Sequence, residues 1–370
     1  MRKRTRTILF LSLFFLFVLF APAVILYSQG YRFDFEKRKI TQTGAIFLQI
    51  EPKQTEIYIN GELVKKTDFF FGSALLENLL PGDYKITLKK EGYYLWEKNL
   101  GVEEKQVTEV KNIILVPSKI DFTVLSKNIE DFWIAPDGKK AVFLEKNIPP
   151  ETGWALKLYD LEKNVKSYLI GLPMGLLNLE WSPDSKEIYL DINGESFGLR
   201  LDKLPLALIK RTALSSPKNV LIIFGDYTFS REEETLYFFN KDSQTFEKLL
   251  EGVKDLKTSP DNKKLVFFSP SEIWIFYLKD KTEMPTKKAG ERQFLVRLSE
   301  RIGDVFWLNN NYLILSAGNK IRISETDERD RINISDLENL ENPKMFFNLT
   351  DKKLYIQSGN NLSSSEKLNY

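Results

Sequence analysis

Ala135-Pro136-Asp137-Gly138-Lys139, Ser182-Pro183-Asp184-Ser185-Lys186 and Ser259-Pro260-Asp261-Asn262-Lys263 are three near-copies of one short phrase. Each follows an apolar stretch, such as Leu177-Asn178-Leu179-Glu180-Trp181, and precedes a β-type run, such as Lys264-Leu265-Val266-Phe267-Phe268. Proline presets φ at the corner, and Asp, Asn and Gly tolerate the tight turn behind it. The side chains of Asp137, Asp184 and Asp261 are therefore expected as turn caps rather than as a shared ion site. Strand, turn and strand recurring along a chain mark a repeat architecture.

Decayed copies extend the series at Ser216-Pro217-Lys218-Asn219, Leu308-Asn309-Asn310-Asn311 and Leu349-Thr350-Asp351-Lys352. Successive copies lie about 34 to 49 residues apart, close to the ~40–45 residues of a four-stranded propeller blade. No long segment shows helical periodicity, which argues against a βαβ fold. The expected class is all-β, with a β-propeller over 118–370, of six blades by this count and seven as the alternative. Trp133, Trp181 and Trp307, placed just before their turns, are expected to pack between twisted sheets. A ring leaves no unpaired edge, so a strand near 121–126 is expected to complete the final blade beside 344–357. With an aromatic strand before each Ser-Pro-Asp-x-Lys turn, the region resembles the repeats of TolB-like propellers; the Trp-Asp dipeptide of WD repeats is missing.

Composition narrows the chemistry. The 370 residues carry 28% charged and 43% hydrophobic side chains, an ordinary globular mix. A net charge of +2 offers no basic field for nucleic acid. Cysteine and histidine are both absent, which removes thiolate nucleophiles, disulfides, Cys-based metal sites and the commonest general base. No cofactor and no metal site are expected. The chain is expected not to be an enzyme; the alternative is a propeller-based extracytoplasmic hydrolase using paired carboxylates. The acidic cluster Glu232-Glu233-Glu234 is expected as a solvated loop.

Ile8 to Tyr27 runs without a charge and, as a helix, spans roughly 30 Å, the thickness of a bilayer core. Residues 1–7 form a basic tail with Arg2, Lys3, Arg4 and Arg6, which places the N-terminus in the cytoplasm and the bulk of the chain outside. Ala21-Pro22-Ala23 keeps a second possibility open, a cleaved signal peptide and a secreted binding protein. Residues 28–43 are expected as a linker.

Residues 44–117 read as short strands broken by turns: Glu56-Ile57-Tyr58-Ile59 meets Asn60-Gly61, a strong hairpin signal, and Pro81-Gly82 precedes the alternating run Asp83 to Leu88. This segment resembles the PEGA domain. Gly44-Ala45-Ile46, Glu51-Pro52, Glu56 to Gly61, and Leu80 to Leu88 followed by Lys90-Glu91-Gly92-Tyr93 and Trp96 carry the likeness; Pro52-Lys53-Gln54-Thr55 stands in place of the signature tetrad. The resemblance implies a small extracytoplasmic β-sandwich without catalysis, binding protein or cell-surface polymer.

Phe69-Phe70-Phe71 is the candidate partner patch. Three consecutive aromatics on a strand cannot share one face. They are expected either to pack against the propeller or against Tyr93, Tyr94 and Trp96, or to form an exposed patch that docks on an envelope partner or a lipid surface. The function expected is that of a single-pass protein of the cytoplasmic membrane, held by residues 8–27, that binds or scaffolds a protein or glycan partner of the envelope.

Overall fold

The computed structural model describes all residues except 1, 2, 36, 147–152, 173–175, 204, 212–218 and 370. The turn expected at Ser216-Pro217-Lys218 lies outside the described residues. Among the described residues, the regular structure is β-strand apart from one N-terminal helix, α1 (Lys3–Ser28). Within it, Arg6–Ser28 is apolar enough and long enough to cross a membrane, and its apolar stretch is not buried inside the molecule.

Two compact units follow from the packing. The first comprises Met1–Pro117 with the short segments Thr282–Pro285 and Glu328–Asn333. Directly after α1, β1 (Tyr31–Asp34) and β2 (Lys39–Gln42) pair as an antiparallel hairpin inside the 28–43 segment. Then come β3 (Gly44–Glu51), β4 (Glu56–Ile59), β5 (Glu62–Lys66), β6 (Ser73–Leu79), β7 (Gly82–Lys89), β8 (Trp96–Val102) and β9 (Val107–Ile114). They form a three-stranded sheet in the order β6-β3-β9 and a four-stranded sheet in the order β5-β4-β7-β8. Period-two alternation explains the shared core: Ile46, Leu48 and Ile50 of β3 are fully buried against Ile57, Ile86, Leu88 and Trp96 of the other sheet. At the β4–β5 corner, Asn60 and Gly61 both adopt positive φ, 50° and 89°, as the Asn-Gly pair requires.

The second unit comprises Ser118–Lys281, Thr286–Asp327 and Ile334–Tyr370. It is propeller-like, a succession of six four-stranded antiparallel sheets. Their first strands are Ile129–Ile134, Leu176–Trp181, Asn219–Phe224, Asp255–Thr258, Ile302–Trp307 and Lys344–Asn348. The last sheet takes its fourth strand, Phe122–Lys127, from the beginning of the unit. That strand does join the sheet of 344–358, but through Asn361–Ser365, which lies between them. Asn361-Leu362-Ser363-Ser364-Ser365 carries a single apolar residue, so no hydrophobic period advertises it.

The repeated phrases are the turns between the first and second strands of their sheets. Asp184 accepts from Ser182 Oγ at 2.6 Å and from the Lys186 N–H at 3.2 Å; Asp261 does the same with Ser259 and Lys263 at 2.6 and 3.1 Å. Asp137 accepts from the Lys139 N–H at 2.9 Å. The next position, occupied by Gly138, Ser185 and Asn262, adopts φ of 68°, 58° and 55°. Glycine and asparagine suit that left-handed corner. The three carboxylates are thus turn caps.

Candidate binding surfaces

Phe69, Phe70 and Phe71 sit in a turn between β5 and β6, not on a strand, and all three rings are exposed, at 66, 72 and 79%. The alternation rule therefore does not apply to them. Asp68 decides the local shape: its carboxylate accepts from the N–H groups of Phe70 (2.8 Å), Phe71 and Ser73 (3.1 Å). Donation from Phe71, with smaller help from Ser73 and Phe70, holds the Asp68 carboxyl below the usual carboxylate range. Lys53 closes the turn from the other side by donating Nζ–H to the Phe70 carbonyl at 2.5 Å. Phe69 meets Phe70 edge-on at 5.5 Å between centroids. The result is a fixed aromatic knuckle facing solvent. Tyr93, one of its expected packing partners, instead packs against the core of the first unit.

The knuckle lies at the end of β3 remote from α1. Thr43, just before β3, donates to the Gly30 carbonyl at 2.9 Å beside the helix end, whereas Ile50 N–H donates to Gly72 O at the knuckle, also at 2.9 Å. Six residues of strand between Gly44 and Ile50 span ~20 Å.

In the second unit, a cavity of about 490 Å³ is lined by first strands of four sheets, with Trp133, Glu180, Trp181, Asp304, Phe306, Lys344 and Phe346 among its walls. Two repeat positions supply part of its wall, through Trp133, Glu180, Phe306 and Asp304, and the ion pairs beside it. Two residues before the first residue of each turn phrase come Trp133, Glu180, Lys257 and Phe306; four before come Asp131, Asn178, Asp255 and Asp304. The aspartates recur with one geometry: each accepts from the N–H of the following residue, Phe132, Leu256 and Val305, at 2.7 to 2.8 Å. This inner series was readable by aligning the turns, but it stands outside the turn phrase that draws the eye.

The cavity's charges are mutually engaged. Lys257 bridges Asp304 and Asp255, the latter at 3.4 Å, and its ammonium lies 3.6 Å from the centre of the Phe306 ring. Lys344 pairs with Asp131 and lies 4.9 Å from the Trp133 ring. Burial pushes the Asp304 carboxyl above the usual carboxylate range and the Asp255 charge adds to the push, against the pull of Lys257. The tryptophans do more than fill space. Trp181 donates its indole N–H to Trp133 O at 3.2 Å, and Trp307 to Lys257 O at 2.9 Å, each tying one sheet to the one before it. The Glu232-Glu233-Glu234 run is an exposed hairpin turn. Among the described residues, no group of side chains could hold a metal ion.

Residues 43–115 match the family model of the PEGA domain. No curated protein matches the chain. Among solved structures, the β-propeller domain of Cps50 from Myceliophteria thermophila shows 10% identity over 65% of this chain and 96% of that one, with a TM-score of 0.41. TolB from Acinetobacter baumannii shows 17% identity over 70% of this chain and 61% of that one, TM-score 0.32. An auxiliary nutrient binding protein from Bacteroides thetaiotaomicron shows 10% identity over 85% and 90%, TM-score 0.37. At these values the likenesses lend no partner and no activity to this chain.

Proposed function

We propose that this chain is a membrane-anchored binding or scaffold protein of the cell envelope. Residues 8–27 hold it in the cytoplasmic membrane, with the basic tail inside and both β units outside. The single observation that supports a binding role most is the knuckle of Phe69, Phe70 and Phe71, three exposed aromatics held in a fixed turn. Clustered exposed apolar side chains mark contact sites, and a turn already ordered loses little entropy on docking. Its ~20 Å separation from the helix end along β3 favours a protein partner over the bilayer that α1 crosses.

The second unit then acts as a six-bladed propeller closed by Phe122–Lys127, in which inner ion pairs steady the ring. The carboxylate-pair hydrolase fits less well. Asp304, in the cavity wall, is bridged by Lys257 to Asp255, and Asp131 is paired with Lys344, so the aspartates at and beside the cavity already hold cations. The secreted alternative requires cleavage after Ala23. Recovery of a soluble protein beginning at Val24 would establish it and remove the anchor.

The partner is tested by placing a photo-reactive phenylalanine analogue at position 70 in the full chain in cells, with Val64 as control; Val64 lies on exposed β5 of the same unit. A discrete protein adduct at position 70 and none at 64 is expected. Equal adducts at the two positions, or adducts to lipid or glycan alone, would overturn the proposed protein contact.

A further inference from the structure

The hairpin β1–β2 wears its side chains inside out. Asp34 and Thr41, polar, are its buried residues, whereas Phe33, Phe35 and Ile40, apolar, face outward. Register explains the grouping: Phe33 pairs directly with Ile40, so the two stand on one face, and Phe35 meets Phe33 edge-on at 5.0 Å. Phe35 is 83% exposed. The inward face is fastened by polar contacts. Thr41 Oγ1 donates to Glu104, Asp34 accepts from the Lys37 N–H at 2.9 Å, and Lys39 pairs with Glu104 at 3.7 Å.

A hairpin on a water-facing surface carries the opposite pattern, polar out and apolar in. An apolar outer face calls for an apolar partner, and its place in the chain indicates which. The hairpin starts three residues after α1 ends, and Arg32 ties it to that end. The Arg32 guanidinium donates to Tyr27 O at 2.7 Å and to Asn78 Oδ1 at 2.7 Å, and lies 3.5 Å from the centre of the Tyr27 ring. Lys37, Arg38 and Lys39 follow one another around its tip, all exposed. Aromatic side chains beside clustered cations, at the level where a helix leaves the bilayer, match the chemistry of an anionic lipid headgroup layer.

We propose that the hairpin of residues 31–42 is seated in the headgroup layer of the membrane that α1 crosses. Phe33, Phe35 and Ile40 enter the acyl boundary, and Arg38 meets lipid phosphates. The seat fixes the first unit against the bilayer, so that the tilt of β3, and with it the direction of the Phe69–Phe71 knuckle, is set by two attachments rather than by a free swivel at Ser28. The inference rests on the membrane-anchor reading of residues 8–27.

The absence of cysteine makes the test direct. Single-cysteine variants Leu16→Cys, Phe35→Cys and Val64→Cys of the full chain are labelled with an environment-sensitive fluorophore. They are then reconstituted into vesicles of phosphatidylcholine with or without phosphatidylglycerol, containing lipids that carry a quencher in the acyl chain. Strong quenching is expected at 16 and 35 and none at 64, with quenching at 35 greater in the anionic vesicles. In the Arg38→Glu background the anionic preference at 35 should disappear while quenching at 16 stays. Quenching at 16 with a water-exposed label at 35 would overturn the seated hairpin and leave the anchor standing. No quenching at 16 would overturn both. Efficient cross-linking between two Phe35→Cys copies without lipid quenching would also overturn it, in favour of self-association.

Discussion

The two units treat their aromatic side chains in opposite ways. The first keeps aliphatic residues and one tryptophan in its core and turns Phe33, Phe35, Phe69, Phe70 and Phe71 to the outside. The second packs a cluster of its phenylalanines, although Phe246 and Phe294 stay exposed: Phe229 and Phe276 are nearly inaccessible and meet edge-on at 5.3 Å, and Phe238 lies within 5.2 Å of Phe276. It also sets charged groups at a cavity, with Lys344 and Asp304 in its wall and Lys257 paired with Asp304. One unit groups its exposed rings at two places; the other commits a ring cluster around Phe276 to packing. The same residue type therefore carries different consequences when it is removed.

The largest effect belongs to the packed rings. Phe276→Ala removes a side chain in contact with Tyr227, Phe229 and Phe238. Loss of transfer energy plus the cavity left behind costs about 3–5 kcal/mol, read as a lower denaturant midpoint for the second unit. A loss near that of a surface substitution would mean that this cluster repacks freely, and the contrast between the units would weaken.

Next come the inward charges. Lys257→Met leaves Asp304 without its principal cation in a crowded cavity. The Asp304 side chain keeps about a third of its surface in water, so we expect a screened cost of about 1 kcal/mol at neutral pH. The sign with pH follows from the direction of the shift. Asp304 already has a raised pKa in the folded state, and losing Lys257 raises it further. Protonation then relieves the stranded charge, so the variant's deficit should shrink on acidification. A deficit that grows on acidification would place the cost elsewhere.

Arg322 supplies the opposite sign. It is nearly buried and holds Glu300 at 2.5 Å and Asp336 at 2.8 Å. Its hydrogen bond is the first cause that holds Glu300 at about 2 against an ordinary 4.5. A depressed carboxylate contributes stability that is complete above pH 4.5 and is lost as pH falls towards 2. Arg322→Met should therefore flatten the acid limb of the unfolding curve in that window. Both carboxylates reach solvent, so the loss at neutral pH should be only about 1 kcal/mol. An unchanged acid limb would show that the cluster is not held in solution.

What the sequence disclosed, and what it hid, follows the same division. Turns were legible because Pro-Asp-Gly and Asn-Gly act through local backbone preference, which needs no tertiary context. The six-sheet succession followed from their spacing. The strand Asn361–Ser365 was not legible, because a serine-rich strand is held by its neighbours' hydrogen bonds rather than by an apolar face. The inner aspartates at 131, 255 and 304 could be aligned from the turns, but the pairings of Asp131 with Lys344 and of Asp304 with Lys257 were hidden, because those lysines lie on other strands. For Phe69–Phe71 the residues were identified but not their geometry, since Asp68 turns a segment that composition alone would extend. Phe33 and Phe35 hid in a stretch read as a connection, where two four-residue strands are too short for a clear period.

The smallest expected effect on stability is the most informative about function. Phe70→Ser removes a ring that is 72% exposed and touches little beyond Phe69 and Phe71. The turn itself rests on the Phe70 backbone, whose N–H donates to Asp68 and whose carbonyl accepts from Lys53; serine keeps both groups. Unfolding stability should therefore change by no more than about 0.5 kcal/mol, the usual range for surface positions. Association with the envelope partner should fall sharply, because central aromatic anchors carry a disproportionate share of binding energy. The paired control is Asp68→Ala, which keeps all three rings but releases the N–H groups of Phe70, Phe71 and Ser73. If the preordered turn matters, Asp68→Ala weakens association while the rings remain. If only the rings matter, it binds as the parent does. Should Phe70→Ser lower stability by several kcal/mol while partner capture is retained, the knuckle would belong with the packed rings of the second unit, and the contrast between the two would fail at its most exposed point.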